Sequence, residues 1–211
     1  MSLFRRRLLA LANSGGGPTP PQPTPLEDLT ARFNFPNGGG YFFLPITLST
    51  GDWFKLKVGN VPANKGVCFV GGRQTTNSNT DATSVETTND SLFYVKMFGT
   101  LYTTTLTYSS AATYIITAKA DGVATSPSLG ASTNIGTYTF TTPRNIGVGR
   151  MRAGSSYVGS NGCGDIYGIE IYGADDTLKH RLIPQPDLTL LDEVTNTSYS
   201  KSGGTLTYTA Q

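Results

Sequence analysis

The chain has 211 residues, enough for one sizeable all-β domain or two small ones with a real core. Charged residues make up only 14% and the formal net charge is +2, with the basic residues scattered apart from Arg5-Arg6-Arg7; this excludes the basic stripe of a nucleic-acid-binding face. Two distant cysteines, Cys68 and Cys163, and one histidine, His180, exclude a disulfide framework and C-x-x-C zinc spacing, and leave two buried or half-buried thiols as the expectation.

Leu3, Phe4, Leu8, Leu9 and Leu11 surround the arginines at roughly helical spacing, so residues 1–13 are expected to hold a short amphipathic helix. Such a helix is too short to stand alone in water and needs a surface to fold against. Phe4, Arg5, Arg6, Arg7, Leu8 and Leu9 are therefore the expected docking residues for a partner protein, with a membrane surface or a disordered tail as the alternatives. The start MSLFRRRLLALANS imitates a signal peptide, but its apolar core from Leu8 to Ala12 is shorter than the ~7–15 residues one needs. No apolar run reaches the ~20 residues of a membrane span. Residues 14–25, rich in Gly and then in Pro, read as a linker, flexible first and stiff after.

The main domain is expected over 26–211. Phe33 and Phe35 alternate, Tyr41–Leu48 is a strong strand, and Trp53–Val58 alternates cleanly with Phe54, Leu56 and Val58 inward and Lys55 and Lys57 outward. Gly66–Gly71 is short and apolar, whereas 74–91 carries one large aliphatic residue, Val85, and is expected to be loop or polar edge. Leu92–Phe98 and Leu101–Tyr108 are further strands. Thr113–Ala118 turns at Asp121-Gly122 into another. Thr137–Thr142 and Asn145–Met151 are expected to pair around Pro143, and Ala153–Gly164 to form a small-residue loop. In 165–200, Tyr167, Ile169 and Ile171 alternate with Gly168, Glu170 and Tyr172; Gly173–Asp176 turns; a return strand runs to Ile183; and Leu188–Leu191 closes the sheet. A last strand is expected over Thr205–Thr209. About eleven to thirteen short strands with frequent turn signals predict an all-β fold, a two-sheet antiparallel sandwich of jelly-roll type.

The run Gly168-Ile169-Glu170-Ile171-Tyr172, the turn at Asp175-Asp176, His180-Arg181-Leu182-Ile183-Pro184 and then Leu191-Asp192-Glu193-Val194-Thr195-Asn196 resemble a closing motif. That motif belongs to concanavalin A-like (laminin-G-like) jelly rolls in structural proteins of tailed bacteriophages. Gly71-Gly72-Arg73, Asn145–Gly149 and the FRRRLLALA start are compatible with it. The resemblance implies a virion component (capsid decoration, fibre or tail-associated) whose sandwich presents a surface to host or mucosal glycans. It implies other virion proteins as partners, a homo-oligomer in the manner of trimeric fibres, and the virion as location. A carbohydrate-binding module of a secreted or bacterial surface protein is the alternative.

Chemistry is less visible. Glycosidases on this scaffold place paired carboxylates on alternate strand positions. Here Glu170 stands alone, Asp165 falls on the opposite face of an ideal strand, and adjacent Asp192 and Glu193 oppose each other too. His180 reads as a packed or capped residue flanked by Leu178 and Leu182, and no G-x-S-x-G elbow is present. The chain is thus expected to be no enzyme and to need no cofactor. Calcium fits the fold class, with Asp175-Asp176 or Asp165 as loop ligands, against the plainer reading of turn carboxylates. Tyr157 with Ser160 and Asn161, a rigid aromatic among small polar residues, is the candidate ligand-binding loop.

Overall fold

Alternation along the chain is converted into two stacked sheets. The computed structural model describes residues 23–73, 82–137, 145–153, 156–158 and 162–210, with backbone alone for 151–153 and 156–158. A 3-10 turn, Leu26–Asp28, leads into β1 (Arg32–Phe35), β2 (Phe42–Leu44), β3 (Trp53–Gly59), β4 (Cys68–Arg73), β5 (Ala82–Thr87), β6 (Phe93–Met97) and β7 (Thr100–Thr104). Then follow β8 (Thr113–Lys119), β9 (Gly122–Ser126), β10 (Ser132–Thr137), β11 (Ile146–Val148), β12 (Met151–Ala153) and β13 (Ser156–Val158). The chain closes with β14 (Gly164–Tyr172), β15 (Leu178–Pro184), β16 (Thr189–Asp192), β17 (Thr197–Ser200) and β18 (Thr207–Thr209).

The first sheet runs β17-β16-β15-β14-β3-β8-β9, with β1 alongside the start of β14 and β18 on β1. The second runs β10-β7-β6-β5-β4-β11-β2, with β12 beside β4 and β13 on β12. Pairing is antiparallel throughout except at β12–β4. This is the jelly-roll sandwich expected. Phe54, Leu56, Ile116 and Ile169 of one sheet meet Phe42, Phe69, Phe93 and Met97 of the other, all fully buried. Each such side chain contributes about 1.5–3 kcal/mol by leaving water.

Several local expectations are corrected. Residues 82–87 form a central strand of the second sheet, neither loop nor polar edge. Val85 points into the core, while Ser84, Glu86 and the nearly buried Lys96 satisfy one another: Ser84 donates to Glu86, and Lys96 pairs with Glu86 at 3.3 Å. β11 pairs with β2 and β4, while the partner expected for it, Thr137–Thr142, lies beyond Thr137 outside the described residues. The strand expected over Tyr41–Leu48 spans only Phe42–Leu44, because Pro45 cannot donate to the ladder. The loop expected at 153–164 contains part of a short antiparallel hairpin, β12–β13. Residues 1–22, with Phe4, Arg5, Arg6, Arg7, Leu8 and Leu9, and the segment 74–81 lie outside the described residues.

Two irregularities in the closing hairpin redistribute its faces. The register of β14 against β3 slips between Ile166 and Gly168, and that of β14 against β15 slips between Ile171 and Tyr172. A bulge puts one extra residue on one strand and reverses the alternation beyond it. Ile166, Ile169 and Ile171 therefore fill the core, and Tyr167 turns outward. The same reversal puts Asp165 and Glu170 on one outer face, where ideal alternation opposed them.

Candidate functional site

The outer face of the first sheet gathers the polar and aromatic side chains that the core rejects. At one end Asp165, only 2% exposed, accepts from Arg32 Nε at 2.9 Å, Asn34 Nδ2 at 2.7 Å and Asn60 Nδ2 at 2.6 Å. Beside it the Tyr167 ring lies under two cations, Lys57 Nζ at 5.0 Å and the Arg32 guanidinium at 5.6 Å from its centroid. Residues 24–29 cross this end as a strap. Leu26 and Leu29 pack on Ile183 and Tyr167 over Gly168, where a Cβ would stand 2.8 Å from Leu26 Cδ1. Lys57 Nζ donates to the carbonyls of Glu27 at 2.7 Å and Leu29 at 2.6 Å; Lys55 pairs with Glu27, and Arg181 donates to the Thr24 carbonyl. Burial pulls the Lys57 ammonium below the usual lysine range, against the opposing pull of Asp28 and Glu27.

At the other end the face is open. Alternation in β3 aims Trp53 outward; the pairing Tyr172↔Trp53 stacks the two rings at 4.1 Å and 8°. Lys119, the last residue of β8, puts its ammonium 4.0 Å from the Trp53 centroid on the remaining face. The turn after β14 brings Asp176, with a left-handed φ of 61° that Asp tolerates, to the indole: Trp53 Nε1 donates to its Oδ1 at 3.0 Å, and Lys119 Nζ lies 3.1 Å from the same oxygen. The adjoining loop is fixed by Asp52, which accepts from Lys179 Nζ at 2.6 Å and from the Ser49 N–H at 2.8 Å. Gly51 there has φ 89° and leaves no room for a Cβ beside Ala174. A cleft of about 290 Å³ borders Trp53, Lys119, Asp121 and Asp176. A second of about 300 Å³, over Thr117, Gly122 and Ser132, shares Lys119 and Asp121 with it. Together they make a shallow trough bordered at one end by Trp53.

Between the two ends, Glu170 accepts from the Tyr172 hydroxyl at 2.7 Å and lies 3.5 Å from Arg181, which also pairs with Glu193 at 3.3 Å. Burial, then the hydrogen bond to Glu170 and its charge, push the Tyr172 phenol above its ordinary range. Asp165 and Glu170 now share a face, yet five strand residues separate them by roughly 15 Å. Two-carboxylate glycoside chemistry spans at most about 9.5 Å.

His180 Nδ1 meets Asp192 Oδ2 at 2.7 Å, and Asp192 also accepts from the Arg181 and Val194 N–H groups and the Thr195 hydroxyl. Full burial would raise the Asp192 carboxyl, but the bonds from His180, Arg181 and Thr195 outweigh it and hold the group below the usual carboxylate range. These contacts bind β15 to the turn after β16. His180 is a capped residue on the core side with Leu182; the second bulge leaves Leu178 on the opposite face.

The calcium candidates face donors. Asp165 is enclosed by N–H groups, Asp176 serves the indole and Lys119, and Asp175 accepts from the Thr177 N–H at 3.1 Å, which pulls its carboxyl down. Among the described residues no three His, Cys, Asp or Glu side chains converge as metal ligands. Cys68 and Cys163 are free and buried, and burial pushes both thiols up, away from thiolate chemistry. Tyr157 sits on β13, paired with Arg152, at the margin of the second sheet; Ser160 and Asn161 lie outside the described residues. Trp53, Lys119 and Asp176 were not singled out as a site from sequence. The available signal was that the sole tryptophan occupies an outward position of a cleanly alternating strand.

No family model matches the sequence, and no curated protein matches it either. Among solved structures, the fold is similar to that of a protein from Bacteroides ovatus ATCC 8483, described there as a candidate carbohydrate binding protein. The TM-score is 0.59 at 11% identity, over 84% of this chain and 59% of that one, so this chain spans less than two thirds of its neighbour's length. At that identity the likeness shows the sandwich fold.

Proposed function

We propose that the chain is a non-enzymatic, carbohydrate-binding β-sandwich carried on the surface of a bacteriophage particle and docked there through residues 1–13. The observation that carries the binding reading is the trough at the open end, where the outward Trp53 lies among Lys119, Asp121 and Asp176. Tyr172 covers one face of the Trp53 ring and the Lys119 ammonium the other. Displacement of Lys119 therefore offers a face for C–H stacking, and the ammonium and carboxylates offer directional hydrogen bonds to hydroxyls, which is what a sugar presents. The docking reading is supported by the peg, linker and sandwich order of the sequence and by the closing motif.

A glycan array probed with the full chain tests binding, with Trp53→Ala as the control. Bound glycans lost from the array on that substitution are the expected result. A blank array, or unchanged binding by the variant, overturns the reading. Deleting residues 1–13 should abolish incorporation into particles while the sandwich still folds; normal incorporation refutes the docking. A second reading, a binding module of a secreted or surface protein of a bacterium, is favoured by the Bacteroides likeness, and it gains if no particle carries the chain.

A further inference from the structure

Both faces of the only tryptophan in the chain are already covered, by Tyr172 on one side and by the Lys119 ammonium on the other. The oxygen of Asp176 that pairs with Lys119 at 3.1 Å is the one that accepts the indole N–H at 3.0 Å. An aromatic face beside a carboxylate is a cation site, since ring quadrupole and anionic oxygen both favour positive charge, and Lys119 is the cation that fills it. It fills it loosely. The Lys119 side chain is 37% exposed and that of Asp176 69%, which puts the ion pair and the cation–π contact in their weak, solvent-screened range. Asp121 borders the same cleft and gives a displaced Lys119 a second carboxylate to approach.

Resting on the glycan reading above, we propose that the trough takes an amino sugar with a free ammonium, which replaces Lys119 over Trp53. Charge decides between sugar classes. One lysine faces two aspartates here, Asp121 and Asp176, so an acidic sugar adds like charge to a site that is already net negative. A neutral sugar stacking on Trp53 must expel Lys119 and leaves Asp176 facing an uncharged ring. An ammonium sugar exchanges like for like. It keeps the indole face and the carboxylate occupied and leaves its hydroxyls for Asp121 and the freed Lys119.

Because Trp53 is the sole tryptophan, its fluorescence reads the exchange directly. The full chain is titrated at low salt with a glucosamine tetramer, its N-acetylated counterpart and a neutral glucose tetramer. The amino sugar should shift the emission and bind at least about tenfold tighter than the other two, an advantage that disappears once pH exceeds the pKa of the sugar's own amine. Lys119→Met should tighten amino-sugar binding by removing the resident competitor, and Asp176→Asn should reduce it to the level of the neutral tetramer. Equal or tighter binding of the neutral or N-acetylated tetramer overturns the exchange and leaves the glycan reading standing. Weaker amino-sugar binding by Lys119→Met also overturns it, because Lys119 would then be a ligand of the sugar. No response to any tetramer overturns the exchange too, and with a blank glycan array it removes both readings.

Discussion

The two ends of the first sheet's outer face use the same parts for opposite purposes. Each sets a lysine ammonium over an aromatic ring, Lys57 over Tyr167 and Lys119 over Trp53. At the strapped end the Lys57 ammonium is consumed by two backbone carbonyls of residues 27 and 29, beneath packed leucines. At the open end the Lys119 ammonium meets one exposed carboxylate above an unroofed trough. A cation–π contact therefore does not announce a ligand site. What the cation is bonded to, and whether chain covers it, separates a structural clasp from an exchangeable one.

The difference should be largest where the strapped end is most deeply buried. Asp165→Ala removes the buried common acceptor of Arg32, Asn34 and Asn60, three donors that are themselves half-buried or exposed. Chemical denaturation should show a loss of about 2–3 kcal/mol, with Trp53 emission in the native state unchanged. A loss no larger than that of a surface substitution would mean that solvent already satisfies those donors. Next comes Leu26→Ala, in a cluster of only a few side chains that can partly collapse; about 2 kcal/mol is expected. Protease cleavage within 23–31 should rise in parallel, and an unchanged cleavage rate would show that the strap does not depend on its leucines.

How much of this could be read from the sequence differs between the ends as well. Strict alternation in Trp53–Val58 places the outward lysines correctly, and the Gly173–Asp176 turn is legible from its residue types. The pairing of Asp165 with β1 is not legible, because it joins segments 131 residues apart at Asn34 and Asp165. The outward swing of Tyr167 depends on a bulge whose one local sign is Gly168. β5 misleads for a different reason. Its Thr and Ser residues look solvent-facing, but Ser84 is satisfied by Glu86, whose charge is balanced by Lys96 on the neighbouring strand; the Thr83 hydroxyl is buried without a partner, a cost that the packing of the strand carries. The trough draws on β3, β8 and the β14–β15 turn, and only the pairing of β3 with both of its neighbours brings Trp53, Lys119 and Asp176 together.

The sharpest test of the contrast compares the two lysines. Lys57→Met keeps the apolar stem over Tyr167 and strands the Glu27 and Leu29 carbonyls, so about 1 kcal/mol should be lost. Lys119→Met strands no backbone group, since Asp176 remains hydrated and keeps its bond from Trp53 Nε1. Its stability should stay within about 0.5 kcal/mol of the parent, while the Trp53 emission changes because the charge over the ring is gone. If the two methionine variants lose equal stability by denaturant titration, Lys119 is a clasp like Lys57 and the open end is structural. If only Lys57→Met is destabilised, the ammonium over Trp53 contributes little to folding, and its place is free for a ligand to take.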